Sequence, residues 1–264
     1  MLKKLIKYDL KWLFKIITVF YILGLSLSII GRLMDLLPDS TFFLILTGIV
    51  KGSAIALLVN GIVNSTIRIW VRTVHNIYKD EGYLTNTLPV NIEKIFLSKV
   101  ISSIIVTLVS FVVLAGGLAI LYLNKELIEG IKVYLSLISD STGVNIGLII
   151  IILLLLLFAE LLFIILTGLF GISVGYSFNH KKLLKTFIAS FITYALFNAL
   201  TSIIILISVL FSSELNEFIF GLSGTIQANF LVIFLICSIV VYCLYTIILY
   251  FGTRFVLRKG VNLD

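Results

Sequence analysis

Two charges interrupt long apolar runs in this chain, Lys51 in "LTGIVKGSAIALL" and Glu160 in "LLLLFAELLFII". A charged side chain near the centre of a bilayer costs about 2.5 to 3.5 kcal/mol on insertion scales, so such residues are kept for ion or proton relays or are paired with one another. Lys51 falls ten residues past Thr41 and Glu160 fourteen past Ile146, which places them roughly 15 and 21 Å into their helices. The similar depths predict an intramembrane charged pair. Outward snorkelling of Lys51 and protonation of Glu160 are the competing arrangements.

Other chemistry finds little footing. Gly221 to Gly224, "GLSG", offers a serine in a nucleophile-like turn. A serine nucleophile needs a histidine base at similar depth on a neighbouring element, and the only histidines, His75 and His180, are expected in loops on the opposite side of the membrane. Cys237 and Cys243 are six apart, about 9 Å along one helix and too far for a disulfide. No Cys/His cluster has metal spacing, and neither a zinc-protease motif nor a Walker phosphate loop is present. The sequence therefore predicts no catalytic residue, no metal and no cofactor held by this chain.

The composition explains the scarcity of chemistry. Of 264 residues, 60% are hydrophobic and 12% charged, and the mean hydropathy is +1.20, far from the averages of soluble domains. Only helices and closed barrels satisfy their backbone in lipid, and the alternating short segments of a barrel are missing. An all-α integral membrane protein follows, with six transmembrane helices near 16–31, 41–67, 100–123, 146–176, 186–211 and 228–251. The fourth run exceeds the roughly 20 residues needed to cross. No linker or repeat divides the chain, so residues 1–264 read as a single domain.

Charge sets the expected orientation. Sixteen of the twenty basic residues lie in the N-terminus, the 68–99 loop, the 177–185 loop and the tail, and retained positive charge marks the cytoplasmic side. The opposite side carries Arg32, Lys125 and Lys132 among seven acids. Both termini are thus expected in the cytoplasm of a cell whose Lys and Ile richness suggests an AT-rich bacterial gene. The net charge of +7 is accounted for by this topology without a nucleic-acid partner. In "MLKKLIKYDLKWLFK", Leu2, Leu5, Ile6, Leu10, Leu13 and Phe14 oppose Lys3, Lys4, Lys7, Lys11 and Lys15. This pattern predicts an amphipathic helix on the inner leaflet rather than a cleaved signal.

The 68–99 loop is long for a connection without a task. It runs through "YKDEGYLTNTLPVNIEKIFLSK". Pro89 breaks helix at the residue before it, and Asn91 is an N-cap for the helix that leads into the third span. The segment with Asp80 and Glu81, Gly82, Tyr83 and Leu84, then Leu88 and Pro89, then Lys99 resembles the loop after the second span in permease subunits of ABC transporters of the type 2 exporter class. Where that family often has a Ser-Arg pair after Pro-Val, this chain has Asn91 and Ile92.

The resemblance implies a cytoplasmic coupling helix that docks on a separate ABC ATPase, which would bind ATP and Mg. Asp80 and Glu81 would set the docking register, and Tyr83, Leu84 and Leu88 would be its apolar anchors. It further implies a second transmembrane half, the same or a homologous chain, in the plasma membrane of a bacterium, exporting an amphipathic cargo such as a peptide, drug or lipid. An ion- or proton-coupled carrier using Lys51 and Glu160 is the alternative. Finally, Gly48, Gly52 and Ala56, and Gly171 with Gly175, recur every fourth residue and predict close helix packing as small-xxx-small faces.

Overall fold

The computed structural model describes residues 1–38, 40–87, 90–123, 129–130, 133, 136, 146–211 and 228–259. Seven helices order the chain among these: α1 (Leu2–Met34), α2 (Thr41–Ile77), α3 (Asp80–Thr87), α4 (Ile92–Tyr122), α5 (Ile146–Gly175), α6 (Lys182–Phe211) and α7 (Ala228–Arg258). All but α3 are long and apolar enough to cross a membrane. The protein is thus an all-helical, multi-pass membrane protein.

Two compact units divide the chain, Met1–Glu129 and Gly130–Asn262. Both units are built from long apolar spans. In the first unit α1 packs on α2 and α4, α2 packs on α4, and α3 lies against α2. In the second, α5 packs against both α6 and α7.

α1 is a single helix of 33 residues, with no break between its lysine-rich start and its apolar span. Nothing in Leu2–Met34 disrupts the ladder, and one buried stripe runs its length: Asp9, Leu13, Ile17, Tyr21, Gly24, Ser28 and Gly31. These steps of three and four residues are a helical face. At about 50 Å, the helix exceeds a hydrocarbon core of about 30 Å. α2 is longer still at 37 residues and absorbs the first ten residues of the segment expected to be loop. Its N-cap is Ser40, whose hydroxyl accepts a hydrogen bond from the Phe43 amide at 3.4 Å. α4 begins where the sequence places it, with Asn91 Oδ1 accepting from the Glu93 amide at 3.0 Å.

Glycine permits the close approach of these helices. Leu58 of α2 fills the space beside Gly24 of α1 and Gly117 of α4, and a Cβ on Gly24 would stand 2.9 Å from Leu58 Cδ2. One turn on, the Tyr21 ring covers Gly61, and its hydroxyl bonds with that of Ser110. Ser102, Ser103, Thr107 and Ser110 are all buried along α4, so the seam of the first unit is polar. Ser103, Thr107 and Ser110 each return a hydrogen bond to their own helix's carbonyls, which keeps polar groups in a membrane helix from being stranded.

The second unit is joined differently. A Cβ on Gly171 would lie 2.8 Å from the Ser190 amide nitrogen, and one on Gly175 would lie 2.6 Å from the Thr186 Cα. Backbone therefore touches backbone between α5 and α6. The turn between them passes through Lys181 at φ 54°, a left-handed conformation that closes the hairpin. Further along, Phe163, 1% exposed, sits amid the rings of Tyr194, Phe197, Tyr242 and Tyr245 at centroid distances of 5.6 to 6.1 Å.

Candidate functional site

The densest polar chemistry lies where α1, α2, α3 and α4 meet. Asp9 is the only acidic residue in α1, and it stands on the buried stripe four residues before Leu13. Its side chain is 3% exposed. A carboxylate so dry persists as a charge only if cations and donors surround it. Here Lys99 Nζ approaches Oδ1 at 2.5 Å, Arg72 Nε donates to the same oxygen at 3.1 Å, and Ser98 Oγ donates to Oδ2 at 3.1 Å. Arg72 comes from α2, while Ser98 and Lys99 come from the first turns of α4.

Arg72 carries the network outward. Its Nη1 donates to both oxygens of Glu81, at 2.9 and 2.7 Å. Glu81 belongs to the short helix α3, and Asn76 Nδ2 donates to it at 3.1 Å and to Thr85 Oγ1 at 3.2 Å. Two anions, Asp9 and Glu81, thus balance two cations, Arg72 and Lys99. The indole of Trp12 lies under both Arg68 and Arg72, 4.4 and 5.4 Å from their guanidinium carbons, a placement that suits weakly hydrated arginine.

α3 therefore has two different sides. Glu81 faces α2 through its ion pair, and Gly82 and Thr85 are buried. On the other side Tyr83 is 58% and Leu84 74% exposed. Asp80 is the first residue of α3, and Leu88 and Pro89 lie outside the described residues. Of the residues expected to form a coupling element, Glu81 makes its hydrogen bonds within the chain, whereas Tyr83 and Leu84 present apolar surface outward.

A second ion cluster lies at the far end of α1. Lys51 Nζ donates to both oxygens of Asp35, at 2.6 and 2.9 Å, and Arg32 Nη1 stands 3.8 Å from the same carboxylate. Lys51 also lies 5.7 Å from the Tyr122 ring centroid. Lys51 thus has an acidic partner within its own unit, while Glu160 belongs to the other. Glu160 lines a cavity between α5, α6 and α7. Gly48 and Gly52 meet nothing within 4 Å, and with exposed Ala56 they form an open face of α2. Gly171 and Gly175 have the close neighbours already described.

Asp9, Arg72 and Lys99 did not stand out as a group in the sequence. The available signal was Asp9 itself, a lone acid on the apolar face of a helix whose lysines all lie elsewhere. Among the described residues, no group of three His, Cys, Asp or Glu is placed to hold a metal ion. Compared with protein-family models, curated proteins and solved structures, the chain matches none.

Proposed function

We propose that the chain is the transmembrane subunit of an ATP-driven exporter of the ABC type 2 class, with α3 as its coupling helix. The observation that carries this reading is the two-sidedness of α3. Its exposed Tyr83 and Leu84 suit the cleft of a partner protein, where a few apolar anchors supply most of the binding energy. Its Glu81 is tied through Arg72 to Asp9 and Lys99, so a push on α3 reaches α1, α2 and α4 together. A subunit without its own nucleotide site needs such a linkage to receive work from ATP hydrolysed elsewhere.

In this reading both termini and α3 face the cytoplasm of a bacterial cell, two ATPase subunits bind ATP and Mg, and a second transmembrane half completes the path for an amphipathic cargo. The test is co-purification with a Walker-type ATPase encoded beside this gene, followed by Leu84→Asp. The substitution should leave the chain in the membrane, because Leu84 lies outside the spans and is 74% exposed, yet reduce ATPase capture at least tenfold. Undiminished capture and export would remove α3 from the coupling role. Transport by the chain alone in liposomes would favour the ion-coupled carrier instead.

A further inference from the structure

The cavity of the second unit has a volume of about 420 Å³, within the range of small-molecule sites. It lies near the middle of three spans. Glu160 is fourteen residues into α5, and Tyr242 is fourteen into α7, about 21 Å along each helix. The walls are mostly apolar, with Ile205 and Phe234 among them, and the polar groups beside Glu160 are the hydroxyls of Thr201, Ser238 and Tyr242.

Those hydroxyls leave the carboxylate unanswered. Thr201 donates to the Phe197 carbonyl at 2.9 Å and Ser238 to the Phe234 carbonyl at 2.9 Å. Among the described residues none forms a hydrogen bond or ion pair with Glu160. The basic residues described in the second unit, Lys181, Lys182, Lys185, Arg254, Arg258 and Lys259, stand at or near helix ends, whereas Glu160 stands at mid-helix. An ionised carboxylate in so apolar a setting is costly unless a cation joins it.

Tyr242 adds a second attraction for positive charge. Tyr242 lines the cavity, and its ring is held in place by packing at a tilt on Phe163, 5.6 Å between centroids. Aromatic faces favour cations, most of all when both are desolvated.

We propose that this cavity binds a hydrophobic monovalent cation, with Glu160 as its counter-charge and Tyr242 as its aromatic wall. The size of the space, its apolar lining and its single acid exclude a strongly hydrated metal ion, which needs several oxygen ligands. Binding here concerns this chain alone and stands whether or not an ATPase drives it.

The test uses the full chain in lipid nanodiscs, titrated with tetraphenylphosphonium and with tetraphenylborate, an anion of the same shape. Saturable binding is expected for the cation only, at one site per chain. Glu160→Gln should weaken that binding at least tenfold, and Ile205→Trp, which fills the space, should do the same while leaving the carboxylate. Should Glu160→Gln not fold, the comparison of the two ions on the unaltered chain decides. Equal binding of both ions, cation affinity retained in Glu160→Gln, or no saturable cation binding because a second copy closes the cavity would each overturn the proposal.

Discussion

Asp9 and Asp35 each gather two cations, one near the start of α1 and the other just past its end, yet their surroundings differ. The Asp9 side chain is 3% exposed and that of Asp35 is 34% exposed. Asp9 draws its cations from α2 and α4, 63 and 90 residues away in sequence. Asp35 draws one from its own last turn and one from sixteen residues on. Similar charges thus do unlike work. In the dry cluster each ion is a condition for burying the others, so the group binds three spans and α3 into one unit. In the second cluster Asp35 and Arg32 are only partly desolvated, at 34% and 41% exposed, so the pairs add less to what helix packing already secures.

Removing a charge from each cluster separates the two cases. Asp9→Ala strands Lys99 in a buried site and takes one of the two acidic partners of Arg72, and should cost about 3 to 5 kcal/mol, seen as a large drop in denaturation midpoint in detergent. Asp9→Leu combined with Lys99→Met should recover most of that loss, because Arg72 keeps Glu81. A double variant as unstable as the single one would mean that Asp9 acts by shape and not by charge.

The same contrast of filled and open surroundings holds for glycines. Gly175→Leu drives a side chain into the Thr186 backbone and should cost about 1 to 3 kcal/mol or more by overpacking. Gly52→Leu meets open space, so the isolated chain should keep its denaturation midpoint. Any loss of a larger assembly in that variant would then report a partner on this face. Glu81→Gln removes a half-exposed carboxylate from Arg72, and screening limits the cost to about 1 kcal/mol. Its clearer effect should be faster amide exchange across α3, with α1 and α4 unchanged. Asp35→Asn completes the series at about 0 to 1 kcal/mol. A shift as large as that of Asp9→Ala would show that exposure does not govern these clusters.

Hydropathy alone located the spans, because lipid demands long apolar helices whatever they pack against. Their ends were less legible. The helical rise continues past the apolar run wherever no Pro or cap stops it, so α1 and α2 reach well beyond 16–31 and 41–67. Asn91 could be read because capping is local chemistry. The partners of Asp9 could not, since an ion pair across 63 or 90 residues leaves no periodic trace. For the glycines, spacing every fourth residue is shared by Gly48/Gly52 and Gly171/Gly175, but only the second pair has a neighbouring backbone at hand. Spacing defines a face and says nothing of what meets it.

The long separation within the Asp9 cluster also has a consequence in time. A chain made at about 5 to 20 residues per second delivers Arg72 seconds after Asp9, and Lys99 seconds later again. During that interval the carboxylate must remain hydrated or borrow a charge from the exposed lysines around it. The first span therefore cannot reach its final seat until the third has been synthesised. Chains carrying Leu13→Cys, one turn on along the same buried stripe, should leave that thiol open to a water-soluble reagent when arrested before Ile92 and protect it when extended through Tyr122.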